Sequence, residues 1–225
     1  MNANRQPSFP RRLFSLVLPM AAQNLLNALV SASDALMLGF LDQSSLSAVS
    51  LAGQIQFVFS LFMDAAIIGT TILAAQYWGK GDARAVEKIQ ANTLRLSCLT
   101  GAFFCVAALT VPEFLMRMFT PDETLIGLGA SYLRIVSFSY LCSGFSQIML
   151  CVMKNTGRTL RSTVYGSVPV ALNVGLNAVL IFGLLGFPEM GIKGASVATV
   201  IAKTRDRTQA KAAATKRFVM VSFSL

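Results

Sequence analysis

The chain is 225 residues long, 54% hydrophobic and only 13% charged, with a formal net charge of +9. Soluble globular domains carry about a quarter charged residues, so this composition excludes a soluble enzyme. Lys and Arg fall in short gaps between apolar runs rather than along one face, which excludes nucleic acid as a partner and leaves an integral membrane protein.

The first apolar run covers residues 13–38. Arg11 and Arg12 precede LFSLVLPMAA in the outline of a signal peptide, but the run continues past Ala22 to spanning length, so an uncleaved first helix is expected. Asp34 is the one charge between Leu13 and Leu41. A lone carboxylate in hydrocarbon costs several kcal/mol unless it is neutralised, balanced or kept wet. Gln23, Asn27, Ser31 and Asp34 are spaced 4, 4 and 3, which places them on one helical face below Pro19. A proline inside a helix removes a hydrogen bond and favours a bend. A bent helix with a polar stripe ending in a carboxylate suits the wall of an aqueous cavity; the alternative is a stripe that only joins helices.

The second run, 50–76, carries Asp64 about midway. This acid either faces the cavity or pairs with Arg134 or a backbone group. QYWGKGD at 76–82 ends the second helix at glycines and offers Asp82 as a cap for the next. The third run is 94–116 and the fourth 125–152. TPDE at 120–123 reads as a Thr120 cap with Pro121 at the first helical position. KNTGRT at 154–159 reads as a turn.

In the fifth run, 164–187, Pro169, Asn173 and Asn177 are spaced four apart. The pattern P-x-A-x-x-x-x-L-N-A fits both 19–28 and 169–178, which suggests that two similar helices face each other. Their amides would supply neutral oxygens around a proton or small cation held by Asp34. A sixth stretch, MGIKGASVATVIA, meets Lys203 after thirteen residues and is too short to cross unless the polar tail continues it.

Basic residues set the orientation. Arg5, Arg11 and Arg12, then Lys80, Arg84 and Lys88, then Lys154, Arg158 and Arg161 mark alternate ends, whereas the other connections are poor in uncompensated base. The N-terminus is expected in the cytoplasm, in a multi-pass protein of the cytoplasmic (plasma) membrane. There is no histidine, no Walker A pattern, and the cysteines at 98, 105, 142 and 151 form no CxxC pair. No transition-metal site, organic cofactor or enzymatic centre is expected.

LPMAAQNLLNALVSASDALMLGFL, SLSAVSLAGQIQF, IIGTTILAAQYWGKGD, YLRIVSFSYLCSGFSQIMLCVMKNTGRT and GIKGASVATVIA together resemble the multidrug and toxic compound extrusion (MATE) family, over roughly Leu13 to Ala202. The resemblance implies an all-α polytopic protein: one six-helix lobe, with five complete transmembrane helices and a truncated sixth. A lobe is expected at 13–202 behind a cytoplasmic segment at 1–12, and the basic tail at 203–225 departs from the family pattern in the manner of a truncated or frame-shifted end. By the same resemblance the chain takes part in antiport, exporting drugs or organic cations in exchange for H+ or Na+. Asp34 falls on the family's coupling-ion acid, Pro19 on its bending proline, and Asn173 and Asn177 on its fifth-helix pair. Gln23, Asn27, Ser31 and Asp64 would line the cavity, and a second lobe or a second copy would complete the transporter. The competing readings are a lipid-linked oligosaccharide flippase of the same superfamily, which favours a basic cavity, an inactive fragment, and a membrane-embedded enzyme.

Overall fold

The computed structural model describes residues 9–40, 42–155, 159–183 and 190–215. These form seven helices and no strand: α1 (Phe9–Gly39), α2 (Gln43–Gly79), α3 (Ala83–Thr110), α4 (Pro112–Arg117), α5 (Glu123–Asn155), α6 (Thr159–Phe182) and α7 (Gly191–Thr215). α2, α3, α5 and the Ser162–Ile181 part of α6 are each long and apolar enough to cross a membrane. The KNTGRT turn has its centre at 156–158, outside the described residues, as do residues 216–225 of the tail.

Aspartates start three of the helices. Asp42 accepts a hydrogen bond from the Ser45 backbone N–H at 2.6 Å and another from the Ser45 hydroxyl. Asp82 accepts from Ala85 N–H at 3.0 Å, as its sequence context predicts. The TPDE reading is corrected. Asp122, not Thr120, caps α5 by accepting from Thr124 N–H at 2.8 Å and Leu125 N–H at 3.4 Å. Thr120 instead accepts from Asp122 N–H at 3.2 Å, which fixes the turn and leaves Pro121 outside the helix.

The 94–116 run is also corrected. α3 begins at Ala83 and stops at Thr110, and Pro112 opens the separate short α4. Proline lacks the N–H that would have continued α3, and it suits the first turn of a new helix. The sixth stretch does not stop at Ala202 either, because α7 runs on to Thr215.

α5 is the hub of the bundle. It packs against α2, α3, α4, α6 and α7 and is buried on nearly every side. Small side chains permit this. Ser97 donates to the Gly144 carbonyl at 2.8 Å, and a Cβ at Gly144 would come within 2.9 Å of that hydroxyl. Such close approach is how helices associate without a hydrophobic drive between them. The core beside it is aromatic: the Phe59 ring lies 5.4 Å from Phe104 and 5.1 Å from Tyr140, both edge-on.

α1 lies chiefly on α6. Asp34 meets Asn177, and Gln23 meets Gly166, where an added Cβ would fall 2.2 Å from the Gln23 amide nitrogen. Both pairs are 143 residues apart, so the two helices run parallel. The shared P-x-A-x-x-x-x-L-N-A wording has an offset of 150. The two helices do face each other as expected, with the repeated words two helical turns out of step with the packing.

Candidate functional site

Asn177 is fully buried on α6, and its amide Nδ2 donates to Asp34 Oδ1 at 2.6 Å and to Asn173 Oδ1 at 3.3 Å. Asp34 itself is half-buried. The helical spacing of four between Asn173 and Asn177 makes this chain of contacts continuous. Asn177 Oδ1 is buried with no hydrogen-bond partner. A buried carbonyl oxygen left unpaired beside a carboxylate is an uncommon arrangement.

Two residues that the sequence did not single out pair with each other on the neighbouring helices. The Tyr132 hydroxyl, on α5, interacts with Thr199 on α7 and lies within electrostatic reach of Asp34. Thr199 also donates to the Ala195 carbonyl at 2.9 Å. No spacing within a single helix carries the Tyr132–Thr199 contact, which only the packing of α5 on α7 creates.

The group lies off the middle of the bundle. Asp34 is five residues from the end of α1, and Asn177 is five from the end of α6. By helical rise Asp34 is about 15 Å past the midpoint of α1.

The other expected site residues separate into two sets. Gln23 is half-buried against α6, whereas Asn27 and Ser31 are exposed. Pro169 is buried within α6. Position 19 is helical, but the Pro19 side chain lies outside the described residues. Asp64 is exposed on α2 and does not pair with Arg134, which instead binds Glu113 on α4 at 3.3 Å. The nearer carboxylate at the surface of the bundle wins over one on another helix face. Among the described residues no cluster of His, Cys, Asp and Glu has the make-up of a metal site.

The MatE family model matches residues 19–179. The chain belongs to the MatE family. The matched span contains Asp34, Asn173 and Asn177. The chain is 29% identical over 199 residues to the probable multidrug resistance protein NorM of Thermotoga maritima, which covers 88% of this chain and 42% of that protein. It is 28% identical over 189 residues to the multidrug resistance protein PmpM of Pseudomonas aeruginosa, covering 84% and 40%. The chain therefore spans about two fifths of the length of the curated relatives it matches. A MATE protein crystallised in the bent conformation superposes with a TM-score of 0.81 at 21% identity, over 94% of this chain and 46% of that one. An outward-facing multidrug resistance MATE transporter superposes at 0.83 and 20% identity, over 95% and 47%. The all-α lobe expected from the sequence is thus the observed fold, in a multi-pass membrane protein.

Proposed function

We propose that this chain is a lobe of a cation-coupled antiporter that exports drugs or organic cations across the cytoplasmic membrane, with Asp34 as the acid that takes the coupling H+ or Na+. The observation that carries the reading is the buried, unpartnered Asn177 Oδ1 beside the Asp34 carboxylate. An ion there would have the Asp34 carboxylate and the Asn177 and Asn173 amide oxygens, a neutral-plus-anionic oxygen set suited to a hard ion. The Asp34 charge is then conditional: either a proton neutralises it or a cation balances it, which is how an intramembrane acid becomes tolerable.

In this reading residues 13–202 form the transmembrane lobe, residues 203–225 its basic tail, and a second lobe or a second copy supplies the opposing wall. Gln23, Asn27 and Ser31 line the path to the site, and Pro19 and Pro169 are the points of bending. Ion occupancy shifts α1 only to the extent that the ion binds its straight and bent forms unequally. The charge distribution supports a cytoplasmic N-terminus. Lys80, Arg84 and Lys88 crowd one end of the bundle, while at the other end Arg117 and Arg134 are each bound to a glutamate, at 2.9 and 3.3 Å.

The test is ion-dependent stabilisation of the purified chain in lipid nanodiscs. Sodium, or lowered pH, is expected to raise the unfolding temperature of the wild type, because a ligand that binds only the native state stabilises it. Asp34→Asn, isosteric and always neutral, is expected to remove that response while inserting normally. A response unchanged in Asp34→Asn would overturn the assignment.

A further inference from the structure

α7 changes character along its length. MGIKGASVATVIA is largely apolar, and KTRDRTQAK follows it without a break in the helix. Cys142 meets Thr204 at 3.9 Å and Ser146 lies beside Asp206, in the same order along α5 and α7, so the two helices run parallel. The polar half of α7 therefore lies at the end of the bundle where α5 finishes with Lys154. A helix of a membrane protein that turns from apolar to basic does so near the level of the lipid headgroups.

A cavity of about 530 Å³ straddles this boundary, lined by Val200, Ile201, Thr204, Arg205, Thr208 and Gln209. Its size is that of a small-molecule cleft, roughly 300–1,000 Å³. The lining is graded along about 13 Å of helix, from two aliphatic side chains to an arginine and an amide. Two of its hydroxyls are spent within α7: Thr204 donates to the Val200 carbonyl at 2.8 Å and Thr208 to the Thr204 carbonyl at 3.1 Å. Arg205 is exposed and forms no ion pair among the described residues. The acid next to it does not balance it, because Asp206 is buried beside Ser146 on α5. Arg207 also turns to α5, with its Cζ 5.6 Å from the centroid of the Phe145 ring. Gln209 Oε1 is buried with no hydrogen-bond partner.

An unpaired guanidinium, an amide with a free acceptor and an aliphatic wall deeper in the membrane are complementary to one kind of amphiphile. It has a phosphodiester anion, a hydroxyl beyond the phosphate and acyl chains behind it. The guanidinium fork matches two phosphate oxygens, a headgroup hydroxyl donates to Gln209 Oε1, and the chains lie on Val200 and Ile201. We propose that the α7 cavity is a binding site for an anionic phospholipid with a hydroxylated headgroup, phosphatidylglycerol being the simplest. The site needs only a bilayer around the lobe and is independent of the ion assignment at Asp34.

Titration of the full chain with single lipids, followed by native mass spectrometry, measures each affinity. Phosphatidylglycerol is expected to bind about fivefold tighter than phosphatidylcholine. Arg205→Gln is expected to weaken phosphatidylglycerol about fivefold, and Gln209→Leu by a similar factor of about five, while phosphatidylcholine is unchanged in both. Arg117→Gln removes the same charge at the opposite end of the bundle and is expected to change neither affinity. On the wild-type chain, phosphatidylglycerol nanodiscs are also expected to slow amide exchange at 204–209 relative to phosphatidylcholine nanodiscs. This readout decides the matter if the variants do not insert. Equal affinities for the two lipids, phosphatidylglycerol affinity unchanged in Arg205→Gln or Gln209→Leu, or exchange that ignores the lipid would overturn the proposal. So would an equal loss in Arg117→Gln, the mark of bulk charge rather than a site. Equal protection by glycerol phosphate added to phosphatidylcholine nanodiscs would overturn it in favour of a soluble phosphate.

Discussion

Asn177 reaches Asp34 across 143 residues of sequence, and its amide places a donor 2.6 Å from the carboxylate while its own carbonyl oxygen stays buried and unpaired. The contact ties α1 to α6 at the end where α1 turns into α2, and it holds the acid in one orientation.

Asn177→Ala is therefore expected to cost about 1–3 kcal/mol, because it removes a hydrogen bond to a charged group and opens a small cavity at a fully buried position. Asp34→Asn is expected to cost less stability, since an amide oxygen can still accept from Asn177. The order reverses for ion coupling: Asp34→Asn abolishes the ion response, whereas Asn177→Ala only weakens it. Thermal unfolding in nanodiscs, with and without sodium, measures both. Equal ion responses in the two variants would show that Asp34 is no more than a structural acceptor.

The sequence made Asp34, Asn173 and Asn177 visible because each breaks an apolar run at helical spacing, and membrane physics penalises such breaks. It could not show that Gln23 sits against Gly166 while Asn27 and Ser31 stay exposed, because four residues on one stripe look alike until a neighbouring helix takes part of the stripe. The Tyr132–Thr199 pair was hidden for a related reason: the two residues lie on different helices and come together only when α5 packs on α7. Local chemistry erred where two solutions were equally good. Thr120 and Asp122 are both competent caps, and the turn geometry chose the aspartate. The wording shared by 19–28 and 169–178 belongs to two helices that do pack together, but pattern similarity carries no information on axial register.

Glycines test the packing of α6 on α7. A Cβ at Gly194 would come within 2.6 Å of the Leu180 carbonyl oxygen, which also accepts from Met190 N–H at 3.1 Å. Backbone cannot yield as a flexible side chain can, so Gly194→Ala is expected to destabilise by about 1–3 kcal/mol. Gly175, also helical, has no atom within 4 Å of its added Cβ. Gly175→Ala is expected to be neutral or stabilising by up to about 1 kcal/mol, from helix propensity alone. Thermal unfolding of the two variants side by side checks the register, and a similar loss in both would contradict it.

Orientation is open to direct labelling. Gly81, at φ 76° in the α2–α3 turn, and Glu123, at the start of α5, lie at opposite ends of the bundle. A single cysteine at each position in an otherwise cysteine-free background is expected to react with an impermeant maleimide from opposite sides of the membrane, with position 81 on the cytoplasmic side. Labelling of both from one side would refute the topology.

The start of α2 carries a pH dependence whose sign follows from its cap. Hydrogen bonds from the Ser45 hydroxyl and backbone N–H hold the Asp42 carboxyl below its ordinary value of 3.8. A group whose folded value is lowered stabilises the fold fully above its unfolded value, and that contribution is lost as the pH falls through the lowered one. The α2 start is therefore expected to be unchanged from neutral pH down to about pH 4 and to fray below it. Asp42→Asn keeps the capping oxygen but cannot titrate, so the variant should show no such step. Hydrogen exchange at Ser44–Leu46, followed from pH 5 downward and referenced to an interior turn of α2, measures the difference. A step of equal size in wild type and Asp42→Asn would mean that another group governs the acid response of this helix end, and the assignment to the Asp42 cap would have to be abandoned.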